Sequence, residues 1–429
     1  MNGLLGRLLI LAALGAASSG AVVAFAAGRK NSASGLAWAR RLAAGFSWAL
    51  IAANGVMVAA LLQRDFTVKY VDQVGSVDVP DYIAVVSLWS ALEGSILFWG
   101  LVLGAYTLWF LRAMRGQHAD MQPYTIGAIL SVGVFFCLLV SGPANPFLTV
   151  EPRAFHVGPN PLLQNHYLMI VHPPMLYLGY VGMTIPFAMG IAALLRGRLG
   201  ASWMKPMRRF MLVPWGFLSV GIVLGGWWAY EVLGWGGYWA WDPVENASFL
   251  PWLSATAFLH AAMLQERRGI LKGWTIVLLL STFALTILGT FMTRSGVFNS
   301  VHSFTQSDIG VYFLVFIGVV FVYSIGLLAF RSHTLDDAAQ QTDQKIGAKL
   351  DFGGNFFSRE FAILIQNALF AAFALTVLLG TIYPLLAESM QGKRISVGEP
   401  YFDRWALPIG LALTFMMGVG PALPWGRLA

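Results

Sequence analysis

The chain has 429 residues, of which 57% are hydrophobic and 11% are charged, and its formal net charge is +7. Soluble globular proteins are about 45–50% apolar and about 25% charged, so this composition excludes a soluble globular protein and indicates a polytopic membrane protein. Because the basic residues are spread along the chain, they indicate membrane topology and not a nucleic-acid-binding surface.

The sequence predicts an all-α membrane protein that forms a single transmembrane helical bundle over residues 1–429. A span needs about 20 apolar residues, and by that rule the chain contains about 11 spans. The predicted spans are 4–27, 38–62, 82–111, 123–141, 166–195, 208–230, 249–265, 272–292, 309–330, 361–386 and 405–423. Arg29 and Lys30 follow the first apolar run, whereas a cleavable signal peptide carries its charges before that run. We therefore expect the first span to remain in the membrane.

The distribution of Lys and Arg predicts the orientation of the bundle. Nineteen of the 27 basic residues fall in one set of loops, and eight fall on the opposite side. The positive-inside rule places the basic-rich loops in the cytoplasm and the N-terminus outside. The predicted outer loops are 63–81, 142–165, 231–248, 293–308 and 387–404.

The stretch 227–252 lies on the predicted outer face and combines aromatic side chains with glycine spacers. It contains six of the sixteen Trp residues of the chain, Trp227, Trp228, Trp235, Trp239, Trp241 and Trp252, and also Tyr238. Glycine lets a ligand approach the backbone closely, and aromatic faces stack on planar molecules such as a porphyrin. We interpret the stretch as a Trp-rich loop, or as short interfacial helices, that holds a flat apolar ligand. The alternative is an aromatic belt at the membrane interface.

Two histidines flank this stretch in the sequence and share its predicted face. His172 lies in the outer part of the fifth span, and His302 lies in the loop after the eighth. Two imidazoles on either side of an aromatic surface suit axial ligation of a haem iron. The alternative is a pair of interfacial histidines that bind nothing, and His166 is the main rival for the role of His172. Pro173 and Pro174 predict that the fifth helix is kinked at His172 or begins there.

Four other ionisable residues carry expectations. Asp242 opens an Asp-Pro-Val-Glu sequence, which has the form of a helix N-cap, and we favour this structural role over catalysis. His260 lies deep in the seventh span, where it could ligate a metal or haem, relay protons or bond to a neighbouring helix. Glu93 is read as a buried charge, either a protonated structural acid or a partner of a His or Arg. Arg294, at the outer end of the eighth span, could pair with a haem propionate or extend to lipid headgroups.

The single cysteine, Cys137, lies inside an apolar run. The sequence contains neither a C-x-x-C redox pair nor a C-x-x-C-H haem-attachment motif. Any thiol chemistry must therefore come from another molecule, and no pair of residues suggests an acid–base dyad.

Four segments of the chain resemble the cytochrome c maturation protein F (CcmF) family. The most specific is W-G-G-Y-W-A-W-D-P-V-E-N-A-S-F-L-P-W-L at 235–253, supported by V-H-P-P-M-L-Y at 171–177, S-V-H-S-F at 300–304 and A-L-E-G-S at 91–95. The Trp-rich part also fits the C component of the same system and the CcsA type, but its continuation favours the F type. The resemblance runs along nearly the whole chain.

The resemblance implies a haem lyase component in the bacterial cytoplasmic membrane, with its active face in the periplasm. Such a protein receives haem b from the periplasmic chaperone CcmE. It positions that haem for attachment to the C-x-x-C-H cysteines of apocytochrome c, in company with a thiol-reducing subunit of the CcmH type. By motif, His172 and His302 ligate the incoming haem, and the Trp-rich stretch holds it.

The resemblance also implies a second haem b inside the bundle, ligated by His260 and a further transmembrane histidine. The family continues beyond the segment that matches 417–428, and the further histidine lies in that continuation. Because this sequence stops at Ala429, we expect either a truncated version or a chain that lacks the ligand.

Two other functions fit the residues alone: a haem-binding chaperone or exporter without lyase chemistry, and an ion or proton transporter that uses Glu93 and His260.

Overall fold

The computed structural model describes residues 1–160, 166–198, 200–232, 236–296, 309–332, 357–392 and 395–425. In chain order the α-helices of these ranges are α1 (Asn2–Lys30), α2 (Ala33–Leu62), α3 (Lys69–Val74), α4 (Asp81–Val86), α5 (Leu92–Ala113), α6 (Gln122–Ser141), α7 (Leu168–Gly182), α8 (Thr184–Arg196), α9 (Ala201–Val232), α10 (Pro243–Arg268), α11 (Lys272–Arg294), α12 (Gly310–Phe330), α13 (Arg359–Gln391) and α14 (Glu399–Val419). Short 3-10 helices occupy Ser87–Trp89 and Gly420–Ala422. Within the described ranges the only β-type pairing is an isolated bridge between Val68 and Thr149.

The predicted all-α membrane fold is confirmed. In the described part of the chain, eleven segments are long and apolar enough to cross a membrane, with α7 and α8 together forming one of them. This is the number of spans that the sequence predicts, because unbroken apolar runs of about 20 residues are a strong signal.

The spans form one packed bundle with a buried centre. Helix α1 packs against α2 and α6, α2 packs against α5, and α9 packs against α7 and α10. Helix α10 also contacts α11 and α13, and α14 lies on α13. The α7–α8 span is 89% buried over its most apolar window, whereas α12 and α14 are only 17% and 11% buried. The α7–α8 span therefore lies at the centre, and α12 and α14 present their apolar surface outward.

The third span begins ten residues later than predicted. The range 82–91 contains α4 and a 3-10 turn, and the transmembrane helix α5 starts only at Leu92. The reason is Tyr70, which is fully buried and donates its hydroxyl to the Ser87 carbonyl at 2.7 Å, while the same oxygen accepts from the Ala91 N–H at 3.2 Å. The Tyr70 hydroxyl forms hydrogen bonds with backbone groups that would otherwise pair with each other inside a continuous helix. Amino-acid composition alone cannot reveal this contact.

The fifth span is interrupted at Met183, between α7 and α8, and not at His172. His172, Pro173 and Pro174 all lie inside α7, four to six residues after its first residue, Leu168. The prediction that the helix begins at His172 was therefore wrong: the two prolines lie inside α7, where each removes an i→i−4 hydrogen bond and where a transmembrane helix tolerates this loss among packed neighbours. A kink at His172 stays a prediction.

The outer loop after α6 is tied to α3 by an ion pair. Arg153 Nε lies 3.0 Å from Asp72 Oδ2, and the Arg153 backbone N–H donates to Asp72 Oδ1 at 2.9 Å. His156 Nε2 is 2.9 Å from the same Oδ1, and its ring stacks on Phe66 with a centroid separation of 3.7 Å. Burial alone raises the pKa of Asp72, but these hydrogen bonds and the charge of Arg153 outweigh it and hold the pKa below its ordinary value.

Most of the Trp-rich stretch belongs to two long helices, which corrects the interpretation of 227–252 as a loop. Trp227 and Trp228 lie in the last turns of α9, and Trp252 lies in α10. The described non-helical part is only 236–242. The glycines Gly236 and Gly237 do lie in this non-helical part. The difference is that α10 begins at Pro243, after the Asp242 cap, six residues before the predicted span 249–265.

Candidate functional site

His172 is held on α9 by a pair of glycines. The Gly221 carbonyl lies 2.8 Å from His172 Nδ1. A carbonyl can only accept, so Nδ1 carries the proton and a neutral His172 has its lone pair on Nε2. A Cβ atom at Gly225 would lie 2.6 Å from His172 Cε1 and 3.2 Å from both ring nitrogens. The ring therefore packs directly on the α9 backbone in the tautomer that a haem ligand requires.

A cavity opens beside His172 where the ends of several helices meet. It holds about 1070 Å³ of space between protein atoms, counting the part open to solvent. Besides His172, the residues lining it include Trp89, Trp99, Tyr177, Tyr180, Trp228, Thr290, Thr293 and Arg294. Apolar and aromatic walls with a few convergent polar groups are typical of a small-molecule site.

One wall of this cavity carries hydrogen-bond donors. Arg294 donates through Nη2 to the Tyr177 hydroxyl. The buried Nε1 groups of Trp89 and Trp99 have no hydrogen-bond partner among the described residues. A buried donor without a partner costs free energy, so this wall is suited to a ligand that brings acceptors, such as carboxylates.

A second, smaller cavity is also lined by His172. It holds about 380 Å³ by the same measure, and its lining includes His172, Gly225, Trp228, Trp239 and Glu245. Trp228 lines both cavities and is only 2% exposed. His172 and Trp228 therefore border both spaces.

The other aromatic residues of the Trp-rich stretch do not form one flat surface with Trp228. Tyr238 stacks on Tyr230 with a centroid separation of 4.5 Å. Trp241 stacks on Phe402 at 5.1 Å and donates through Nε1 to Asp403 at 2.8 Å. Trp241 thus fastens the segment to α14, and the idea of a single aromatic platform has to be corrected.

The rival histidine, His166, has both ring nitrogens engaged. Its Nδ1 accepts from the Leu168 N–H at 3.3 Å, and its Nε2 lies 2.6 Å from Glu231 Oε2. Trp227 donates through Nε1 to the other oxygen of Glu231 at 2.5 Å. This hydrogen-bonded group ties the segment before α7 to the end of α9, and the geometry favours His172 over His166 as the ligand.

Asp242 caps α10, as the sequence predicts. Its Oδ1 accepts from the Val244 N–H at 2.9 Å, while Glu245 Oε2 accepts from the Asp242 N–H at 3.1 Å. The pair forms a complete capping box. The structural role is confirmed, and a contact between Asp242 and haem stays a prediction.

His260 lies in α10, and its hydrogen-bond and ring partners differ from the carbonyl that holds His172. Its Nδ1 donates to the Thr256 carbonyl at 2.9 Å, and its ring lies nearly parallel to Phe370 of α13 at 5.9 Å. The proton on Nδ1 leaves the lone pair on Nε2, as ligation requires. The other four histidines of the described ranges contact other residues: His118 contacts Trp203, His156 contacts Asp72, His166 contacts Glu231 and His172 contacts Gly221. The residue fits one half of a haem site, and the described part of the chain supplies no second histidine for it.

Glu93 is not a charge in the middle of the membrane. It lies in the first turn of α5, and its Oε1 is 3.5 Å from Lys69 Nζ. The expected His or Arg partner is wrong, because the partner is a lysine at the same end of the bundle. This placement removes the main support for a proton path through Glu93 and His260.

Two predicted residues, Trp235 and His302, lie outside the described residues. Among the described candidates, His172, Trp228 and Arg294 line one cavity, and Trp239 lines the adjoining one. Trp227, Tyr238 and Trp241 make the separate contacts described above. The structure thus brings together four of the predicted site residues.

Sequence reasoning missed the residues that hold and face His172. Gly221 and Gly225 form a G-x-x-x-G pattern in an apolar helix, which is a known signal of close helix packing and could have been found. Trp89, Trp99 and Tyr177 carry no local pattern that separates them from other aromatic residues of transmembrane helices. Only the assembled bundle places them at the cavity.

Comparisons with known proteins identify several relatives. The family model described as cytochrome C assembly protein matches residues 89–298. CcmF of Pseudomonas aeruginosa is 42% identical over 376 residues, which cover 87% of this chain and 55% of the relative. The probable cytochrome c-type biogenesis protein NrfE of Escherichia coli is 38% identical over 384 residues, 87% of this chain and 67% of the relative. The chain thus spans about half the length of the curated CcmF relative.

The fold is also similar to a solved structure named "Cytochrome c Heme Lyase CcmF". The TM-score is 0.79 at 36% identity, and the match covers 100% of this chain and 62% of that chain. The similarity therefore extends over the whole bundle and not only over the Trp-rich segment.

Proposed function

Because this chain belongs to the family of cytochrome c-type biogenesis proteins that includes CcmF and NrfE, we propose that it is a cytochrome c haem lyase component. In this role it receives haem b at its outer face and positions the haem for attachment to apocytochrome c. The protein is a multi-pass membrane protein, and its proposed location is the bacterial cytoplasmic membrane, with the His172 cavity on the periplasmic side.

The observation that carries the proposal is the position of His172 at the border of two cavities. Its Nδ1–H is fixed on the Gly221 carbonyl, so Nε2 has the lone pair needed to ligate iron. The aromatic walls, Trp228 above all, suit the flat faces of a porphyrin. We assign His302 as the second axial ligand from the family motif alone.

The donors at the cavity wall suggest how the haem is oriented. Arg294, Trp89 and Trp99 line the same cavity, and the buried Nε1 groups of the two indoles have no partner among the described residues. A guanidinium binds carboxylates through charge-assisted hydrogen bonds. We propose that these residues bind the haem propionates, which turns the opposite, vinyl-bearing edge of the haem away from the wall.

The chemistry needs no catalytic side chain from this chain. Each thioether forms when a cysteine S–H adds across a haem vinyl group: sulfur bonds one vinyl carbon, and the proton goes to the other. The thiols belong to apocytochrome c, and the described lining of the larger cavity contains no carboxylate. The contribution of this chain is therefore positioning.

The partners follow from the same proposal. A periplasmic haem chaperone of the CcmE type delivers haem, a CcmH-type subunit keeps the apocytochrome thiols reduced, and lipid surrounds the bundle. We also propose that His260 is one ligand of a second, internal haem b, whose role when bound is electron transfer. The imidazole fits this use, since its Nδ1–H is held by the Thr256 carbonyl.

The proposal is tested by replacing His172 and its rival in parallel. The full chain is expressed in a bacterium that lacks its own haem lyase subunit, and two quantities are measured: covalently bound haem in a reporter cytochrome c, and haem that the purified chain gains on loading. His172→Ala is expected to abolish both, whereas His166→Ala is expected to leave haem retention within about twofold, because His166 bonds to Glu231.

The two readouts also separate the alternatives. If His172→Ala matures the reporter normally, the lyase-site assignment fails. If the wild-type chain retains haem but supports no thioether formation with its partners present, it is a haem chaperone or exporter. If it retains no haem at all under loading conditions, haem handling itself is wrong.

A further inference from the structure

A cleft with four arginines lies between α2 and α5, at the end of the spans opposite the His172 cavity. Its lining from α2 is Ala37, Arg40, Arg41 and Ala44, and its lining from α5 and the turn after it is Leu108, Leu111, Arg112 and Arg115. The α2 positions follow the spacing i, i+3, i+4, i+7, and Leu108, Leu111 and Arg112 follow i, i+3, i+4, which puts each set on one helix face; Arg115 lies in the turn just after α5. Two helices therefore direct matching faces into one concave space of about 950 Å³, counting the part open to solvent.

The cleft is closed toward the membrane centre by a tight helix contact. A Cβ atom at Gly104 of α5 would lie 3.1 Å from the Ser47 carbonyl oxygen of α2. Ser47 follows Ala44 by one helical turn, and Gly104 precedes Leu108 by one turn. The small side chains of Ala37 and Ala44 leave the space below this contact open, with apolar walls and a charged rim.

Within the described ranges, no carboxylate is paired with the charges of the cleft. Arg40 is fixed by Gln122 Oε1, at 2.5 Å, and by the Leu111 carbonyl. None of the four guanidinium groups forms an ion pair with a carboxylate within the described ranges. Asp120, in the adjoining loop, is paired with Arg198 at 2.7 Å. The four positive charges thus share one small volume, and the described residues place no carboxylate against them.

The surroundings match a lipid better than a soluble anion. Arg41 lies over the ring of Trp38 at 5.1 Å, and Trp38 is 57% exposed. Tryptophan at the end of a span lies at the level of the lipid headgroups. A charged rim at this level above an apolar recess between two transmembrane helices has the form of sites that bind anionic lipid headgroups.

We propose that the α2–α5 cleft is a specific binding site for one anionic phospholipid, with its phosphate among the guanidinium groups of Arg40, Arg41, Arg112 and Arg115 and an acyl chain along Ala44 and Leu108. The site is independent of haem handling. Arginines that only set topology need neither matching faces on two helices nor a concave space between them.

The test measures lipids that stay on the purified full chain. Protein is reconstituted in vesicles of equal parts dioleoylphosphatidylglycerol and dioleoylphosphatidylcholine, re-extracted, and examined by native mass spectrometry. The wild-type chain is expected to retain one phosphatidylglycerol in clear excess over phosphatidylcholine. Each arginine removed is expected to weaken retention by about fivefold, so Arg41→Gln/Arg112→Gln/Arg115→Gln should abolish the excess.

A matched control removes three exposed charges from the same end of the bundle. Arg29→Gln/Lys30→Gln/Arg209→Gln changes the net charge equally and leaves the cleft intact, so it should retain the lipid. Ala44→Trp keeps all four charges but fills the recess, and it should lower retention as strongly as the triple arginine variant. This second variant separates loss of the site from an altered membrane orientation.

Three results would overturn the proposal. The first is equal retention of the two lipids by the wild-type chain. The second is equal loss in the matched control, which would indicate general electrostatic attraction. The third is full displacement of the lipid by millimolar inorganic phosphate, which would indicate a site for a free anion.

Discussion

At the scale of single residues, the position of His172 depends on the absence of a side chain at Gly225. The two ring nitrogens lie 3.2 Å from where a Cβ atom would stand, and Cε1 lies 2.6 Å away. At the same time Nδ1 is held by the Gly221 carbonyl. Because contact and hydrogen bond act on the same ring, its direction is fixed before any ligand arrives, and such preorganisation lowers the cost of binding.

Gly225→Ala should therefore impair haem binding without touching haem. The new methyl group displaces the His172 ring from its contact with the α9 backbone. Overpacking of this kind costs about 1–3 kcal/mol, and we expect haem affinity to fall roughly tenfold. Haem titration of the purified chain, followed by Soret absorbance, measures the change. Gly216→Ala is the matched control, since no atom lies within 4 Å of its Cβ position on the same helix. Equal losses in the two variants would contradict the role of the Gly225 contact.

Arg294 offers a test of haem orientation. If its guanidinium binds a propionate, Arg294→Gln should weaken haem binding by about 1.5–3 kcal/mol, the range for hydrogen bonds to charged groups. Haem dimethyl ester, which has no carboxylates, should bind the wild type and the variant equally. Tyr177→Phe is the control, because it removes the hydroxyl that Arg294 contacts and keeps the guanidinium. A variant that weakens haem and its ester by the same factor would show that Arg294 acts through packing.

At the scale of helices, the capping box fixes where α10 begins and hence where Trp239 and Trp241 lie. Asp242→Ala removes the acceptor of the Val244 N–H and should lower stability by about 1 kcal/mol. Asp242→Asn keeps an acceptor and should lose less than half of that. Thermal unfolding of the detergent-solubilised chain distinguishes the two. If Asp242→Asn instead abolishes cytochrome c maturation at unchanged stability, the carboxylate has a role beyond capping.

The anchor between α3 and the outer loop should be lost in acid. The pKa of Asp72 is below its ordinary value in the folded chain, so its contribution is fully present above about pH 4. That contribution is lost as the pH falls through the lower folded-state pKa. Hydrogen exchange at residues 153–156, corrected for the intrinsic rate, should accelerate below about pH 4. Asp72→Asn should show fast exchange already at neutral pH, whereas the exposed Asp78→Asn should match the wild type.

The sequence predicts helices far better than it predicts contacts between them. Long apolar runs were sufficient to find the eleven spans seen in the described part of the chain, because the bilayer fixes their length. The start of α5 was missed, since it depends on the hydroxyl of Tyr70, which arrives from another part of the chain. His172 was found from its V-H-P-P setting, but its partner Gly221 is 49 residues away and becomes a neighbour only when α7 packs on α9.

At the scale of the whole molecule, the structure separates two histidines that each have a proton held on Nδ1. His172 on α7 faces α9 and the cavity, whereas His260 on α10 lies beside Phe370 of α13. Binding of the haem that is loaded from outside should therefore depend on His172 only. A separate internal haem would be present before loading, and its binding would depend on His260.

Three variants test this independence: His172→Ala, His260→Ala and the double replacement. Haem gained on loading should fall at least tenfold with His172→Ala and change by less than about twofold with His260→Ala, because distant sites without shared partners contribute additively. The double variant should match the product of the two effects. Any b-type absorbance of the chain before loading should disappear with His260→Ala alone. If His260→Ala removes loading as completely as His172→Ala, and the double variant goes no further, both histidines serve one haem, and two separate sites are excluded.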